Sequence, residues 1–231
     1  MSKSSVCKWG GPSGLLRSIL FFVLGVSIST VNAAGENADW LITRYQAIVD
    51  NPDTFQEAYN AGRERSTLCS FCHGEDGNSI KDDVPNLAGQ NPLYLWTQID
   101  HFANGSRKNF VMEALAREFS HDDKLNLAIY FSAKNVRSQA ADSSRAKKGR
   151  VLYKQSCMVC HGESAHGTEK FARLAGQKAG YLLQTLKSFR AAANNPSSKE
   201  AVRRSESMEM ITRTLTDEDM LNLVAFLSSK Y

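Results

Sequence analysis

Cysteine is scarce in this sequence, with five residues in a chain of 231. Cys7 lies near the N-terminus, and the other four form two close pairs, Cys69 with Cys72 and Cys157 with Cys160. Cys7 lies in the segment that we expect to be removed as a signal peptide, so the mature chain would keep no cysteine outside the pairs for a structural disulfide or a catalytic thiol. The chemistry of the cysteines must therefore be sought in the two pairs.

The sequence also lacks a hydrophobic run long enough for a permanent transmembrane helix, which needs about 20 apolar residues. The apolar run from Ser18 to Thr30 is shorter, and small residues follow it at Val31-Asn32-Ala33. Three cations and no acid accompany it, at Lys3, Lys8 and Arg17. We predict that residues 1–33 are a cleaved signal peptide and that the protein is periplasmic. The alternative is an uncleaved N-terminal anchor. Loose association with a membrane is a separate alternative.

A strong net charge is missing as well, since the whole chain carries only +4. This value argues against nucleic-acid binding. The charge is unevenly distributed, however. Residues 34–137 contain ten Lys and Arg against fifteen Asp and Glu, whereas residues 145–231 contain fifteen against eight. The first half is acidic and the second half is basic.

No stretch alternates apolar and polar residues with the period of two that is typical of strands, so we predict an all-α fold. Leu41, Tyr45 and Ile48 recur at helical spacing and indicate an N-terminal helical extension over residues 34–60. We interpret this extension as a packing element, with docking to a partner as the alternative. Later helix starts are predicted at Asn91-Pro92, Ser120 and Thr216, each of which has the residues of an N-cap.

The pentapeptide Cys-x-x-Cys-His occurs twice, over residues 69–73 and 157–161. This motif is the attachment signature of c-type haem, in which the two thiols form thioethers and the histidine becomes the proximal iron ligand. A zinc site would leave His73 and His161 unexplained. A redox dithiol would be expected beside strands, and two disulfides remain a third alternative. The two copies favour two covalently bound haem c groups.

The sequence around the two motifs repeats beyond the motifs themselves. Leu87-Ala88-Gly89-Gln90 returns as Leu174-Ala175-Gly176-Gln177, and Tyr94 matches Tyr181. Nine extra residues in the second copy lie within 191–205, which we predict to be a polar loop. The repeat predicts two homologous domains, over residues 61–137 and 147–231, joined by a linker over residues 138–146.

Methionine supplies the candidates for the sixth iron ligand. Met112 is the only methionine between residue 34 and the second motif, and it precedes Ser120 by eight residues. Met208 precedes Thr216 by the same distance, although Met210 is a second candidate. Both segments are expected to be loop-like. Ligation by a second histidine is the alternative, but His101, His121 and His166 do not occur at equivalent repeat positions.

These features give a predicted set of site residues. The haem-binding residues are Cys69, Cys72, His73, Met112, Cys157, Cys160, His161 and Met208. The iron ligands among them are His73, Met112, His161 and Met208.

Together the motifs resemble the class I cytochromes c, and two copies in one chain resemble the dihaem cytochrome c4 family. The resemblance covers residues 61–231. It implies two tandem helical domains related by a pseudo-twofold axis, each wrapped around one haem, with the haems near each other at the domain interface. It also implies two helix contacts, Gly62 with Tyr130 and Gly149 with Phe226. The carbonyl of Pro85, with Ala172 at the matching place, would accept a hydrogen bond from the proximal histidine.

The predicted function is single-electron transfer between a respiratory donor and a terminal acceptor such as an oxidase, with no catalysis and no small-molecule substrate. The alternative is a dihaem oxidoreductase, or the cytochrome subunit of one, acting on peroxide or sulfur compounds. The charge distribution predicts a higher potential for the second haem. A basic surface for an acidic acceptor is expected from Arg145, Lys147, Lys148, Arg203 and Arg204.

Overall fold

The computed structural model describes residues 33–137 and 143–229, with side chains described for 39–137 and 144–229. The predicted signal peptide lies outside the described residues, apart from Ala33. Residues 138–142 of the predicted linker lie outside them too. The last residues of that predicted linker belong to a helix that begins at Ser143.

Within these ranges the fold contains eleven α-helices and no strand. The first half contains α1 to α6, at Ala33–Val49, Pro52–Arg65, Thr67–His73, Pro92–Ala103, Phe110–Arg117 and His121–Ser132. The second half contains α7 to α11, at Ser143–Ser156, Met158–His161, Ala179–Asn194, Glu206–Thr212 and Asp217–Ser229. The all-α prediction is confirmed. No helix in the described ranges has the length and apolarity that a membrane crossing requires.

The two halves repeat one helix pairing, in which the first long helix of the repeat crosses its last helix. A Cβ on Gly62 of α2 would lie 2.1 Å from the carbonyl oxygen of Asn126 and 2.8 Å from Cβ of Tyr130. A Cβ on Gly149 of α7 would lie 1.9 Å from a carbonyl oxygen of α11 and 2.9 Å from Cβ of Phe226. Only a glycine permits this approach without displacing backbone. The expected contacts of glycine with an aromatic residue are therefore present in both halves.

Helix starts follow the predicted capping residues with one difference. Ser120 and Asp123 form a reciprocal capping box, and Thr216 and Asp219 exchange the same pair of hydrogen bonds. Asn91 does precede a helix that begins with proline, but its side chain does not cap that helix. It donates instead to two carbonyl oxygens of the second half. The difference arises because the helix start lies at the contact between the halves.

The N-terminal extension packs on the first half of the chain. Leu41 and Ile48 of α1 are buried in the core that α4 and α6 help to form. The Trp40 ring lies 6.0 Å from the ring of Trp96 and 5.2 Å from that of His121, between centroids. These contacts agree with a packing role for the extension.

The helix crossing generates a stability prediction. Replacing Gly62 with alanine should destabilise the folded protein by about 1–3 kcal/mol, because the new methyl group has to displace the backbone of α6. Chemical denaturation monitored by circular dichroism would measure the change. Arg63→Ala, at an exposed position one residue further along the same helix, is the control and should change stability by less than about 0.5 kcal/mol. Equal effects of the two variants would refute the close-contact explanation.

Candidate haem centres

Each Cys-x-x-Cys-His motif ends a short helix with its histidine buried. His73 ends α3 and His161 ends α8. The Nδ1 atom of His73 lies 2.9 Å from the carbonyl oxygen of Pro85, and Nδ1 of His161 lies 2.9 Å from that of Ala172. A carbonyl can only accept, so Nδ1 donates in both cases. Each imidazole therefore has its Nε2 lone pair available for a metal.

Burial shifts the pKa of the histidine and of the first cysteine in the same directions in both motifs. It lowers the pKa of His73 and of His161, which keeps these rings neutral, as a metal ligand must be. It raises the pKa of Cys69 and of Cys157 to about 11. Reactive redox cysteines have the opposite property, a lowered pKa. The raised values argue against a redox dithiol.

The other two alternatives for the cysteines find no support in the described parts of the chain. All four motif cysteines are unpaired thiols rather than disulfides. No group of three or more His, Cys, Asp or Glu side chains within the described ranges is arranged to hold a metal ion. The cysteines therefore remain available for attachment to a larger group.

A cavity of about 390 Å³ lies against the first motif. Cys69, Cys72 and His73 line it, and so does Met112. Its apolar lining comes from both halves of the chain and includes Leu87, Leu95, Phe102, Phe131, Leu174 and Leu182. Arg107 and Arg203 also line it. An apolar cavity with two cations matches haem, which combines a hydrocarbon ring with two anionic propionates. When bound, haem supplies an iron that exchanges one electron.

Met112 and Met208 occupy the same place in two equivalent short helices. Each is the third residue of its helix, α5 or α10, and each backbone N–H donates to the side chain of the N-cap residue, Asn109 or Ser205. Both methionines are half-buried, whereas Met210 is 70% exposed. The expectation of loop-like segments is wrong, because the polar side chains at the N-caps start a helix in both places.

The remaining histidines and methionines have other surroundings. None of His101, His121 and His166 lines the cavity, and the last two are exposed. Met158 packs against the core of the second half, and Met220 is completely buried within that half. These observations favour ordinary structural roles for all five residues.

The contact between the halves contains two reciprocal amide pairs that the sequence did not reveal. The side-chain amide of Gln177 accepts from the backbone N–H of Asn86 at 2.7 Å and donates to its carbonyl at 2.9 Å. Gln90 forms the same pair with the backbone of Arg173, at 2.6 and 3.0 Å. Both glutamines end the repeated Leu-Ala-Gly-Gln segment. That repetition was the available signal, but it did not indicate the partners.

Two arginines at equivalent repeat positions extend this contact. Arg107 donates to the hydroxyl of Tyr181 at 2.9 Å, and Arg203 donates to those of Tyr94 and Tyr181. Burial opposes ionisation of Tyr181, but the two guanidinium groups lower its pKa to about 8. The expected basic surface is therefore corrected at Arg203, which is half-buried and donates to tyrosine hydroxyls at the contact between the halves. Its register in the repeat places it opposite a tyrosine instead.

Two other members of that expected surface form ion pairs. Arg145 pairs with Glu218 at 3.2 Å, and Arg204 pairs with Glu209 at 2.6 Å. The side chains of Arg145 and Arg204 are 38% and 48% exposed, so the local positive charge is partly compensated but not removed.

The fold and the two motifs define a class I cytochrome c with two domains. The family model "Cytochrome c" matches residues 146–230. Cytochrome c4 from Azotobacter vinelandii is 30% identical over 186 residues, which cover 72% of this chain and 86% of that one. This chain therefore belongs to the cytochrome c4 family, whose members bind two covalent haem c groups and carry electrons.

Two further comparisons agree with this assignment. The crystal structure of reduced recombinant cytochrome c4 from Pseudomonas stutzeri superposes with a TM-score of 0.65 at 28% identity, covering 74% of this chain and 98% of that one. The "thiosulfate dehydrogenase electron acceptor" of Stutzerimonas stutzeri is 28% identical over 182 residues, covering 71% of this chain and 81% of that protein.

Proposed function

We propose that this protein carries single electrons in the periplasm from a respiratory donor to a terminal acceptor such as an oxidase. The observation that supports this role most directly is the cavity in which Met112 and His73 both line the haem-binding space. A haem with protein ligands on both faces has no open iron position for a substrate. Electron exchange is then the chemistry that remains.

The proposal assigns the attachment and ligand residues of both haems. Cys69 and Cys72 form the thioethers of the first haem, which His73 and Met112 ligate. The equivalent residues of the second haem are Cys157, Cys160, His161 and Met208. The burial of Met208 and its match to Met112 support it over Met210, which is exposed and whose equivalent position in α5 holds alanine.

The protein also has to admit a redox partner to the haem edge. Phe71 and Val159, at equivalent positions between the paired cysteines, are 78% and 88% exposed. Each is an apolar side chain beside a predicted thioether. Small, partly apolar contacts suit transient electron-transfer complexes, which bury little surface and dissociate readily. We infer that partners approach near these two residues.

The alternative function is participation in sulfur-compound oxidation. One relative is described as an electron acceptor of thiosulfate dehydrogenase. That similarity favours an oxidising enzyme as a possible electron donor to this protein, and does not require catalysis by the protein itself.

Axial ligation generates a prediction that tests the carrier role. Met112→Ala and Met208→Ala should each abolish one haem's share of the far-red sulfur-to-iron charge-transfer band, because each removes one thioether ligand. Each variant should also gain carbon monoxide binding at one haem, whereas the wild-type protein should bind it poorly. Absorption spectra of the oxidised and reduced proteins measure both effects.

Met210→Ala is the matched control in the same helix and should change neither property. If Met210→Ala removes the band and Met208→Ala does not, the second ligand assignment is wrong. Ready binding of carbon monoxide by the wild-type protein would favour an oxidoreductase over a carrier.

The charge asymmetry supports a direction of electron flow. Oxidation adds one positive charge to a haem, so surrounding cations disfavour it and raise the potential. A unit charge about 15 Å away contributes roughly 0.3 kcal/mol in water, and physiological salt reduces this several-fold. Over a dozen charges the difference is on the order of tens of millivolts, at about 59 mV per factor of ten. We propose that electrons enter at the acidic first domain and settle on the second haem.

This direction predicts that the higher-potential wave of a redox titration belongs to the second haem. Met112→His should lower only the first haem's potential and so identify its wave, because imidazole stabilises ferric iron more than a thioether does. Anaerobic titration with spectra recorded at each potential makes the measurement. The order is reversed if Met112→His displaces the higher-potential wave of the wild-type protein.

A further inference from the structure

Each proximal histidine donates to a peptide group that the opposite domain also holds. The carbonyl of Pro85 accepts from His73, and the N–H of that same peptide group belongs to Asn86. This N–H donates to Oε1 of Gln177 at 2.7 Å. A continuous hydrogen-bonded chain therefore runs from the glutamine of the second domain, through one amide, to the proximal imidazole of the first.

The second domain has the mirror arrangement. His161 donates to the carbonyl of Ala172, and the N–H of this peptide group, on Arg173, donates to Oε1 of Gln90 at 2.6 Å. The two chains cross the interface in opposite directions. The histidine of each domain is thus linked to a glutamine of the other.

The surrounding residues hold the side-chain amides of Gln90 and Gln177 in place and exclude water from them. Gln90 is 5% exposed and Gln177 is 3% exposed, and the two backbone residues that they bind are buried as well. Each Oε1 also accepts from the N–H of the following residue, at 3.1 Å for Asn91 and 2.8 Å for Lys178. Two donors on one atom require it to be the oxygen, which settles the orientation of the amide. Water cannot replace such a contact without opening the interface.

Hydrogen bonds in a chain polarise one another, each strengthening its neighbour by about 10–30%. A peptide group that donates through its N–H becomes a better acceptor through its carbonyl. A better acceptor draws the Nδ1 proton of the proximal histidine and makes the imidazole more electron-donating toward iron. Added electron density stabilises ferric iron more than ferrous iron, so the potential falls.

We propose that Gln177 and Gln90 are positioning residues that lower the reduction potential of the haem in the opposite domain. The inference rests on the haem attachment and histidine ligation that the proposed function requires. It makes the domain interface part of both iron sites. Separation or distortion of the domains would then raise both potentials through the same atoms.

The test uses Gln177→Met in the full dihaem protein, because methionine keeps the length of the side chain and removes the amide. An NMR-monitored redox titration, which resolves the haem methyl signals of the two haems, reports each potential separately. The first haem should shift to higher potential, with a change of about twofold in its Fe(III)/Fe(II) ratio at a fixed solution potential. The second haem should not shift.

Gln90→Met is the matched variant and should raise the potential of the second haem alone. Gln177→Glu keeps an acceptor and loses the donor, so it should not raise the potential of the first haem. In the reduced protein, the Nδ1–H resonance of His73 should move upfield in Gln177→Met as its hydrogen bond weakens. Intact mass shows that every variant retains two haems, so a failure of attachment is distinguished from a failure of tuning.

Three outcomes would overturn the proposal. One is a lowering of both potentials together, which indicates that the substitution merely admits water to the interface. Another is a shift of the haem in the mutated domain rather than the opposite one. The last is an unchanged first potential in Gln177→Met. Each outcome is a potential measured on the isolated protein, without a partner protein. The test is therefore independent of the proposed direction of electron flow.

Discussion

The hydrogen bond from a buried proximal histidine to a backbone carbonyl is the contact on which the rest of this structure depends. It leaves the lone pair of Nε2 of His73 and of His161 available to a metal, and it fixes each ring beside the two cysteines of its motif. The loop that supplies the carbonyl has to be held rigidly for this purpose. In both domains the opposite domain holds that loop, because a glutamine side chain binds the next backbone residue on both its N–H and its carbonyl.

This dependence explains why the two halves form one unit. The cavity at the first motif is completed by residues of the second domain, and Arg107 and Arg203 each donate to a tyrosine of the other half. A repeat of about 85 residues has a small core relative to its surface. Covalently bound haem would enlarge that core, and residues of both halves line the cavity at the first motif. Stability and redox chemistry therefore depend on the same contacts.

The local features could be predicted from the sequence because their physical signals are local. The motifs predicted where haem attaches, the spacing from Met112 to Ser120 predicted Met208 as its counterpart in the repeat, and the glycines marked the helix crossings. The interface could not be predicted in the same way. Gln90 and Gln177 repeat visibly, but their partners lie more than 80 residues away, and nothing in either segment names them.

Charge was the least reliable guide to position. Arg203 was expected on a basic surface, yet the symmetry of the repeat places it between the domains, where its Cζ lies 5.9 Å from the centroid of the Tyr94 ring. A count of charges contains no information on such symmetry. The short helices of Met112 and Met208 were missed for a different reason, since a single capping side chain is a weak signal in a sequence.

The central claim is that the two domains form one electron-transfer unit, and intramolecular electron transfer tests it most directly. Pulse reduction of the oxidised protein, followed at wavelengths where the two haems differ, should show a rapid bimolecular phase and then a redistribution between the haems. The second phase should be first order, with a rate constant independent of protein concentration. A redistribution whose rate rises in proportion to protein concentration would contradict it, because the electrons would then move between molecules rather than across the interface.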